Sequence, residues 1–411
     1  QGGWRDSRSG IYYAEDYGNP ITVASLQTAL DEAGDAGGGT ILVPSEANIQ
    51  ISDTSVKIPN RVRLSGFGEG GSDPTFKCTA TANVAAMVEN KSQDGTQQFC
   101  WVERLSLNGN KGNGAVATTG IKLVSVYTTS SIRDCVVGQV SGDGISLSEF
   151  GTSGQGPILL ENLWVDQSDG HNILVTGAAS GIRMLSITSQ RPGTGKSAIR
   201  ITSAGAASAS FGHVLSGIYF EMGADATALC LELDACAQVT ADNIVLNAGT
   251  PASIVKITGT VAGSDGSFAA AGHIIRNVSG NLTTMIDDVV AGVTVGNAQG
   301  RFIRWYNSPV APATDLDKAQ IVGIQQARTG LDIASASTIT PAQDGMLFTV
   351  TGAVGITSIT AAARDKGRII VLKFASTPTV TDGSNLVMAG NLVASADDTL
   401  EGPGFDLIFR G

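Results

Sequence analysis

A short strand-like motif recurs through the middle of the chain, and this repeat constrains the fold more than any other feature of the sequence. The steps between successive copies are 24, 28, 26, 30 and 25 residues. The copies begin at Ile121, Ile145, Ile173, Ile199, Leu229 and Ile254. A unit of this length cannot bury its apolar face alone, so neighbouring units must stack on one another. The repeat therefore predicts a solenoid in which Ile121, Ile145, Ile173 and Ile199 form one inward ladder.

A second apolar motif runs out of phase with the first, and its third position is short, polar or glycine in most copies. That position is occupied by Arg104, Asp134, Asn162, Met184, Gly217, Asn243 and Asn277. Short polar residues and glycine tolerate left-handed backbone, so the pattern predicts a one-residue bend between two strands of each coil. A helix-crossover α/β fold is the alternative, but no amphipathic stretch of about 12 residues separates the strands.

The segments on either side of the repeat predict a capped all-β chain. Residues 22–34 have apolar side chains on one helical face and predict a short N-terminal capping helix, so residues 1–34 form a lead-in. Residues 35–308 are predicted to be a right-handed parallel β-helix, and the proline-containing residues 309–330 a neck or linker. Residues 331–411 alternate like short strands separated by turns and predict a small β-sandwich for trimerisation or carbohydrate binding.

Composition excludes several classes of partner. The formal net charge is −11, which argues against nucleic acid because phosphates require a basic face. No run approaches the roughly 20 apolar residues of a membrane helix. The five cysteines are scattered and contain no CxxC pair, so we expect buried thiols and no metal site or other cofactor. Because the chain begins at Gln1 without methionine, we expect it to be part of a longer protein.

Several segments resemble known families. Residues 14–18, the predicted helix and residues 37–44 resemble the opening of the pectate-lyase superfamily domain, and residues 58–68 resemble its next coil. The C-terminal segments resemble terminal modules of phage tail spikes and fibres; they are residues 339–351, 367–372 and 381–386. The resemblance implies a polysaccharide partner and a homotrimer with three parallel β-helices side by side. It also implies a place in the virion tail, with other tail proteins joined through a preceding N-terminal part. The superfamily includes lyases, hydrolases and non-catalytic scaffolds, so the resemblance implies a fold more strongly than a reaction.

The first set of candidate catalytic residues follows from the repeat. Counting back two positions from the inward isoleucines gives Thr119, Asp143, His171 and Ser197, which predicts that Asp143 and His171 are stacked neighbours. Glu149 and Asp169 lie nearby in sequence and complete this set. Histidine can act as a base near neutral pH, with Asp or Glu as its acid partner. Lys196 and Arg200 are predicted to bind acidic groups of the glycan.

The residue Asp143 also opens an Asp-Gly-Ile segment that resembles polygalacturonase-like β-helices, in which that Asp is catalytic. Their paired Asp and Gly-His-Gly segment are absent from this sequence. The alternative interpretation is that Asp143 and Asp169 form turns before a strand, and that His171 is an ordinary turn or surface residue.

A second set of candidates surrounds two aromatic residues. Trp164 and Tyr219 alternate with inward positions and are predicted to point outward, where they could stack on sugar rings. Packing against a loop or another subunit is the alternative. Four acids lie beside these aromatics and are second candidates for catalysis: Glu161, Asp166, Glu221 and Asp225.

These features together predict a virion-associated, extracellular depolymerase that binds and cleaves bacterial surface or capsular polysaccharide, as a glycosidase or a polysaccharide lyase. A secreted bacterial pectate-lyase-like enzyme is one alternative. A receptor-binding or structural spike that holds glycan without cutting it is the other.

The resemblance to tail spikes generates a prediction about assembly. A homotrimer should give, by light scattering at micromolar concentration, three times the mass of one chain. A monomeric mass for the complete 411-residue chain would contradict this prediction.

Overall fold

A computed structural model of the chain divides into two compact units, the larger reaching residue 322 and the smaller reaching residue 411. The larger unit is built from two long sheets of parallel strands, which confirms the predicted parallel β-helix. The structure describes residues 10–67, 73–93, 99–117, 119–126, 129–148, 156–203, 210–223, 225–258, 260–261, 268–269, 273–279, 286–288, 303–306, 319–321, 331–341, 347–360, 369–381, 392–394, 396, 399–403 and 408–410.

The first long sheet, called sheet 1, contains fifteen of the described strands, and its pairs are all parallel. Its main path is Ile11–Tyr13, Gly39–Pro44, Val62–Phe67, Cys100–Glu103, Ser130–Gly138, Ile158–Asp166, Arg183–Gln190, Val214–Glu221, Thr240–Ala248, Ile274–Ser279, Ile303–Tyr306 and Ala319–Ile321. Three shorter strands form a branch of this sheet. Ser106–Asn108 pairs with Ser130–Gly138, Thr75–Cys78 pairs with Ser106–Asn108, and Asn48–Ile51 pairs with Thr75–Cys78.

The second long sheet, called sheet 2, contains nine described strands. They are Val56–Ile58, Val88–Asn90, Thr119–Val124, Asp143–Ser148, Ile173–Thr176, Ser197–Thr202, Leu229–Asp234, Ser253–Thr258 and Ile286–Asp288. Ile121 pairs with Ile145, Ile145 with Ile173, and Ile173 with Ile199. All four are fully buried, so the predicted inward ladder is confirmed.

The ladder continues in a register that the sequence motif missed. Ile199 pairs with Leu231, and Leu231 pairs with Val255. The predicted copies at Leu229 and Ile254 are therefore wrong by two residues and by one residue. Leu229, Cys230 and Leu231 are all buried, as are Ile254 and Val255, so hydrophobicity alone did not fix the register of these strands.

The left-handed bends in sheet 1 are confirmed at six of the seven predicted positions. Arg104, Asp134, Asn162, Gly217, Asn243 and Asn277 have φ between 51° and 67°. The exception is Met184, which is fully buried and pairs with Leu160 and Leu215 in the inner ladder. The bend of that coil is at Ser186, whose φ is 54°. Ile182 lies before the strand, so the motif had been placed two residues too early.

The N-terminal helix covers the predicted segment and extends from Val23 to Asp35. Thr22 and Ser25 form a reciprocal capping box at its start. Leu26, Ala29 and Leu30 are fully buried in the same apolar cluster as the β-helix core. Gly34, the predicted stop, lies inside the helix, and the chain turns afterwards at Gly37 and Gly38, whose φ values are 92° and 130°. Two short 3-10 helices, Ala14–Asp16 and Lys111–Asn113, complete the helical segments described.

Three two-stranded sheets complete the strands of the larger unit. They pair Asn83–Val84 with Val116–Ala117, Ser210–Phe211 with Cys236–Ala237, and Thr260–Val261 with Phe268–Ala269. The last of these pairs is antiparallel.

The smaller unit has its own apolar core, which includes Phe348, Phe374, Ile356 and Val380. Its main sheet joins Ile333–Ala334, Leu347–Thr351, Ile369–Phe374, Thr399–Pro403 and Ile408–Arg410. The first three of these strands are parallel and the last two are antiparallel. Two small sheets pair Thr338–Ile339 with Ser358–Ile359, and Thr379–Val380 with Leu392–Val393. The predicted domain boundaries remain predictions.

All five cysteines are buried and none forms a disulfide, as predicted. Burial raises the pKa of each thiol, to about 12 for Cys100 and Cys135. These side chains serve as small apolar residues of the core. No helix among the described residues has the length and apolar character needed to cross a bilayer.

Replacing Ile173 by alanine should remove core volume from the inner ladder and lower the free energy of unfolding by about 2–5 kcal/mol. Leu174→Ala is the matched control on the same strand, because Leu174 is only half-buried and lies on the outer face. Its loss should be below about 1 kcal/mol. Denaturant unfolding measures both, and equal losses would contradict the inward assignment.

Candidate functional site

The outer face of sheet 1 carries a row of five side chains after the bend, most of them apolar and three of them exposed. Val136 pairs with Trp164, Trp164 with Thr188, Thr188 with Tyr219, and Tyr219 with Val245. Trp164 is 49% exposed and Val136 is 41% exposed, whereas Tyr219 is half-buried. We call these five residues the aromatic row. Trp164 points outward as predicted, and its indole face is available to a ligand.

Two carboxylates lie two residues beyond the aromatic row, in the same register. Asp166 pairs with Gln190, and Gln190 pairs with Glu221. The Arg191 guanidinium donates to both oxygens of Asp166, with Nε–Oδ1 at 3.0 Å and Nη2–Oδ2 at 2.5 Å. The Gln190 amide donates to Glu221 at 2.5 Å. The hydrogen bond to Asp166 raises the pKa of Arg191 above its ordinary value, so this cation stays charged.

The other two acids of the second set of candidates, Glu161 and Asp225, lie away from the aromatic row. Glu161 precedes the bend at Asn162 and forms a salt bridge of 2.5 Å with Arg133. Asp225 forms a turn, in which Oδ1 accepts from the Thr227 hydroxyl and Oδ2 accepts from the Gly195 N–H at 2.8 Å. The hydrogen bond from the Thr227 side chain is the main cause of the lowered pKa of Asp225. The structure therefore places only Asp166 and Glu221 beside the aromatic row.

Two residues of the first set of catalytic candidates, Asp143 and His171, lie in one row with Thr119 and Ser197. We call these four residues the corner row. Thr119 pairs with Asp143, and the His171 backbone N–H donates to Asp143 Oδ1 at 2.8 Å. The Ser197 backbone N–H donates in turn to His171 Nδ1 at 2.9 Å. The predicted stacking of Asp143 and His171 is therefore present.

The environment of the corner row differs from an open groove. An offset of two residues from the inner ladder keeps a side chain on the inner face of a strand. Thr119, His171 and Ser197 are accordingly buried. Burial is the main cause that raises the pKa of Asp143 and lowers the pKa of His171, because it disfavours the charged form of each side chain. Because His171 Nδ1 accepts a hydrogen bond, the neutral ring carries its proton on Nε2.

The three remaining described members of the first set are spread around this corner. Asp169 is exposed and forms a salt bridge of 2.5 Å with Lys111. Arg200 forms salt bridges with Asp234 at 2.7 Å and with Glu232 at 3.6 Å, so two carboxylates already balance its charge. Lys196 is exposed. Glu149 lies outside the described residues.

Sequence reasoning missed Glu232 and Asp234, which belong to the Leu229–Asp234 strand of sheet 2. Glu232 also accepts from the Ser197 hydroxyl at 2.5 Å. Asp234 accepts from Arg200, Thr202 and Thr258, and the Arg200 hydrogen bond is the largest contribution that lowers its pKa, against the opposing effect of burial. Glu232 and Asp234 alternate in sequence with the inward residues Leu231 and Leu233. This alternation would have predicted that both acidic side chains lie on the outer face.

All three histidines of the chain hold backbone in the same way. His213 Nδ1 accepts from the Ile182 N–H at 3.3 Å, and His273 Nδ1 accepts from the Val239 N–H at 3.3 Å. His213 is fully buried, and its Nε2 lies 2.8 Å from the Ser210 hydroxyl. Burial lowers the pKa of His213 to about 4. The shared geometry indicates that these rings join neighbouring coils.

The described part of the chain contains no group of three or more His, Cys, Asp or Glu side chains arranged to hold a metal ion. No protein-family model matches the chain. No curated protein matches it either.

Several solved structures are similar to the chain in fold. The A-module of mannuronan C-5 epimerase AlgE4 from Azotobacter vinelandii is 15% identical, with a TM-score of 0.44, over 76% of this chain and 98% of the module. ORF18 of Geobacillus virus E2 is 11% identical, with a TM-score of 0.49, over 97% of this chain and 74% of that protein. The tailspike gp49 of Acinetobacter baumannii bacteriophage Fri1, a capsular polysaccharide depolymerase, is 11% identical, with a TM-score of 0.45, over 76% of this chain and 62% of that protein.

The buried histidines generate a prediction about pH. The folded pKa of His213, about 4, lies below the unfolded value of about 6.5, so the unfolded chain binds protons first as the pH falls. Stability that is fully present above pH 6.5 should therefore fall between pH 6.5 and pH 4, by up to about 3 kcal/mol from this residue.

His213→Asn provides the comparison, because its amide oxygen can accept the Ile182 N–H without titrating. The variant should show a flatter dependence of the unfolding free energy on pH across this window, whatever its stability at pH 7. An unchanged slope would show that His213 does not titrate as its burial requires.

Proposed function

We propose that the chain binds polysaccharide along the aromatic row of sheet 1, with the sugar rings running parallel to the axis of the β-helix. The observation that carries this proposal is the exposed indole of Trp164, held in register with Tyr219 two coils away. Neighbouring strands are about 4.8 Å apart, so the two rings are separated by roughly 9.6 Å. Two aromatic faces at this separation can stack on two rings of a polymer of pyranose units.

We further propose that the chain is a depolymerase whose acids are Asp166 and Glu221. Their register places them two strands apart, about 9.6 Å between backbones. Inverting glycosidases separate their two carboxyl groups by about 6.5–9.5 Å, which leaves room for the attacking water. Side chains that lean towards each other from this backbone spacing would fall within that range. In such a reaction one carboxylic acid protonates the leaving oxygen, and the other carboxylate takes a proton from water.

The corner row suits a structural role better. Asp143 already accepts the His171 N–H, and His171 Nδ1 already accepts the Ser197 N–H. A base must have its lone pair directed at the substrate, whereas this nitrogen is directed at the backbone of the next coil. We therefore assign Asp143 and His171 to the stacking of coils and place the glycan on sheet 1.

The wider setting is part of the same proposal. We place the protein in a virion tail outside the host cell, as a homotrimer that binds bacterial surface glycan. The resemblance of the C-terminal segments to tail-spike modules supports this assignment.

A non-catalytic receptor-binding spike is the second candidate function. The contacts of the two acids favour it, because Arg191 holds Asp166 at both oxygens and Gln190 holds Glu221. Carboxylates held in this way can orient a bound sugar without transferring protons. Depolymerisation therefore has to be measured separately from binding.

Trp164→Ala should weaken binding to immobilised bacterial surface polysaccharide about tenfold, the loss expected for one aromatic stacking contact. Asp166→Asn and Glu221→Gln should each slow depolymerisation by about a hundredfold or more if the carboxyl groups transfer protons. Binding is measured by biolayer interferometry, and cleavage by the fall in polymer size.

The matched control is Asp242→Asn. Asp242 lies on the same sheet before its bend, forms a salt bridge of 3.5 Å with Arg276, and has an exposed fraction close to that of Asp166. This variant should bind and cleave like the wild type. Cleavage retained in both acid variants would show that the catalytic acids lie elsewhere, and a wild type that binds without cleaving would leave the spike interpretation. Binding retained in Trp164→Ala would overturn the proposed site.

A further inference from the structure

A second left-handed bend ends three neighbouring strands of sheet 1, directly after Gly138, Asp166 and Gln190. Gln139, Gln167 and Arg191 have φ of 58°, 56° and 42°. Their backbone N–H groups donate to the carbonyls of Asp166, Gln190 and Glu221 on the next coil, so the three residues form one row. We call Gln139, Gln167 and Arg191 the left-handed edge.

The residue types of this edge are unusual for its backbone. A residue with a Cβ is strained in the left-handed region, and Gly, Asn and Asp are the residues that adopt it most readily. The first bend follows this preference in five coils, with Asp134, Asn162, Gly217, Asn243 and Asn277, and departs from it at Arg104 and Ser186. The left-handed edge instead has two glutamines and an arginine. Residues held in strained backbone cluster at active sites and ligand-binding sites.

The side chains of the edge continue the polar surface beside the aromatic row. The Gln139 amide donates to the Gln167 amide oxygen, and Arg191 holds Asp166. The Gln167 amide nitrogen also donates to Asp166 Oδ2 at 3.2 Å. Each glutamine amide has two donor hydrogens and an acceptor oxygen, so both amides keep hydrogen-bonding capacity for a ligand. Trp164 precedes Gln167 by three residues and belongs to the same coil. A sugar stacked on that indole would present its hydroxyl groups to this edge.

The charge of the surface defines the class of sugar. Asp166 and Glu221 are two negative groups around the one positive group of Arg191, and the chain as a whole has a formal charge of −11. A uronate in this position would meet a net negative surface. Given the proposed function, we infer that the left-handed edge determines specificity by binding hydroxyl groups of uncharged sugar residues.

Glycine substitutions separate this role from a structural one. Gln167→Gly and Arg191→Gly remove the backbone strain, so the melting temperature should stay the same or rise. The same variants should lose at least tenfold in affinity for the polysaccharide that binds the wild type. Ser186→Gly is the matched control, because Ser186 also has left-handed backbone and lies on the neighbouring strand. Its melting temperature should likewise stay the same or rise, but its affinity for the polysaccharide should not change.

The probe is an array of purified bacterial surface polysaccharides, one half neutral and the other half containing uronic acids. Retention of the wild type by neutral polymers, with loss in the glycine variants, supports the inference. Retention by uronate polymers alone overturns it and leaves the proposed function intact. Affinity unchanged in the glycine variants also overturns it. If the wild type and Trp164→Ala are equally unretained by every polymer, the proposed function itself fails.

Discussion

The structure depends on the burial of one apolar ladder inside the β-helix. Ile121, Ile145, Ile173 and Ile199 stack in register across four coils with no exposed surface. Burying one such side chain stabilises the fold by about 1.5–3 kcal/mol, but only a neighbouring coil can cover it. The capping helix meets the same requirement at the N-terminal end, where Leu26 and Leu30 join the core.

The ladder also fixes what the outer surface can present. Because inner side chains set the register, outer side chains repeat at the spacing of one strand. Trp164, Thr188 and Tyr219 are therefore neighbours although 24 and 31 residues separate them in sequence. A linear ligand that lies along the axis meets the same positions of successive coils. The parallel β-helix thus provides a regular surface whose chemistry is set by the few residues at each outer position.

Sequence periodicity predicted the part of the fold that depends on local residue type. The inward isoleucines and six of the seven bends were correct, because β-branched residues and short polar residues have distinct backbone preferences. Met184 and Ser186 were exchanged, and Leu229 was misplaced, where several apolar residues allowed two registers. The one-residue slip at Ile254 had the same cause.

The candidate site was predicted less well, because its contacts join distant coils. The stacking of Asp143 and His171 followed from equal offsets. The burial of His171 and the half-burial of Asp143 were missed, although an offset of two preserves side-chain parity. The pairing of Asp166 with Arg191, and of Arg200 with Asp234, depends on where loops of different length return the chain. No local sequence pattern encodes the positions at which these loops return the chain to the sheet. The left-handed backbone of Gln139 and Gln167 was likewise invisible, because glutamine has no preference for it.

Hydrogen exchange with and without a bound polysaccharide compares both sheets of the same molecule and locates the glycan. We expect slower exchange of amides in the sheet 1 strands that carry the aromatic row, namely Ile158–Asp166, Arg183–Gln190 and Val214–Glu221. The strands of sheet 2, Ile173–Thr176 and Ser197–Thr202, should exchange at the same rate in both samples. Protection confined to sheet 2 would contradict the assignment of the glycan to the outer face of sheet 1.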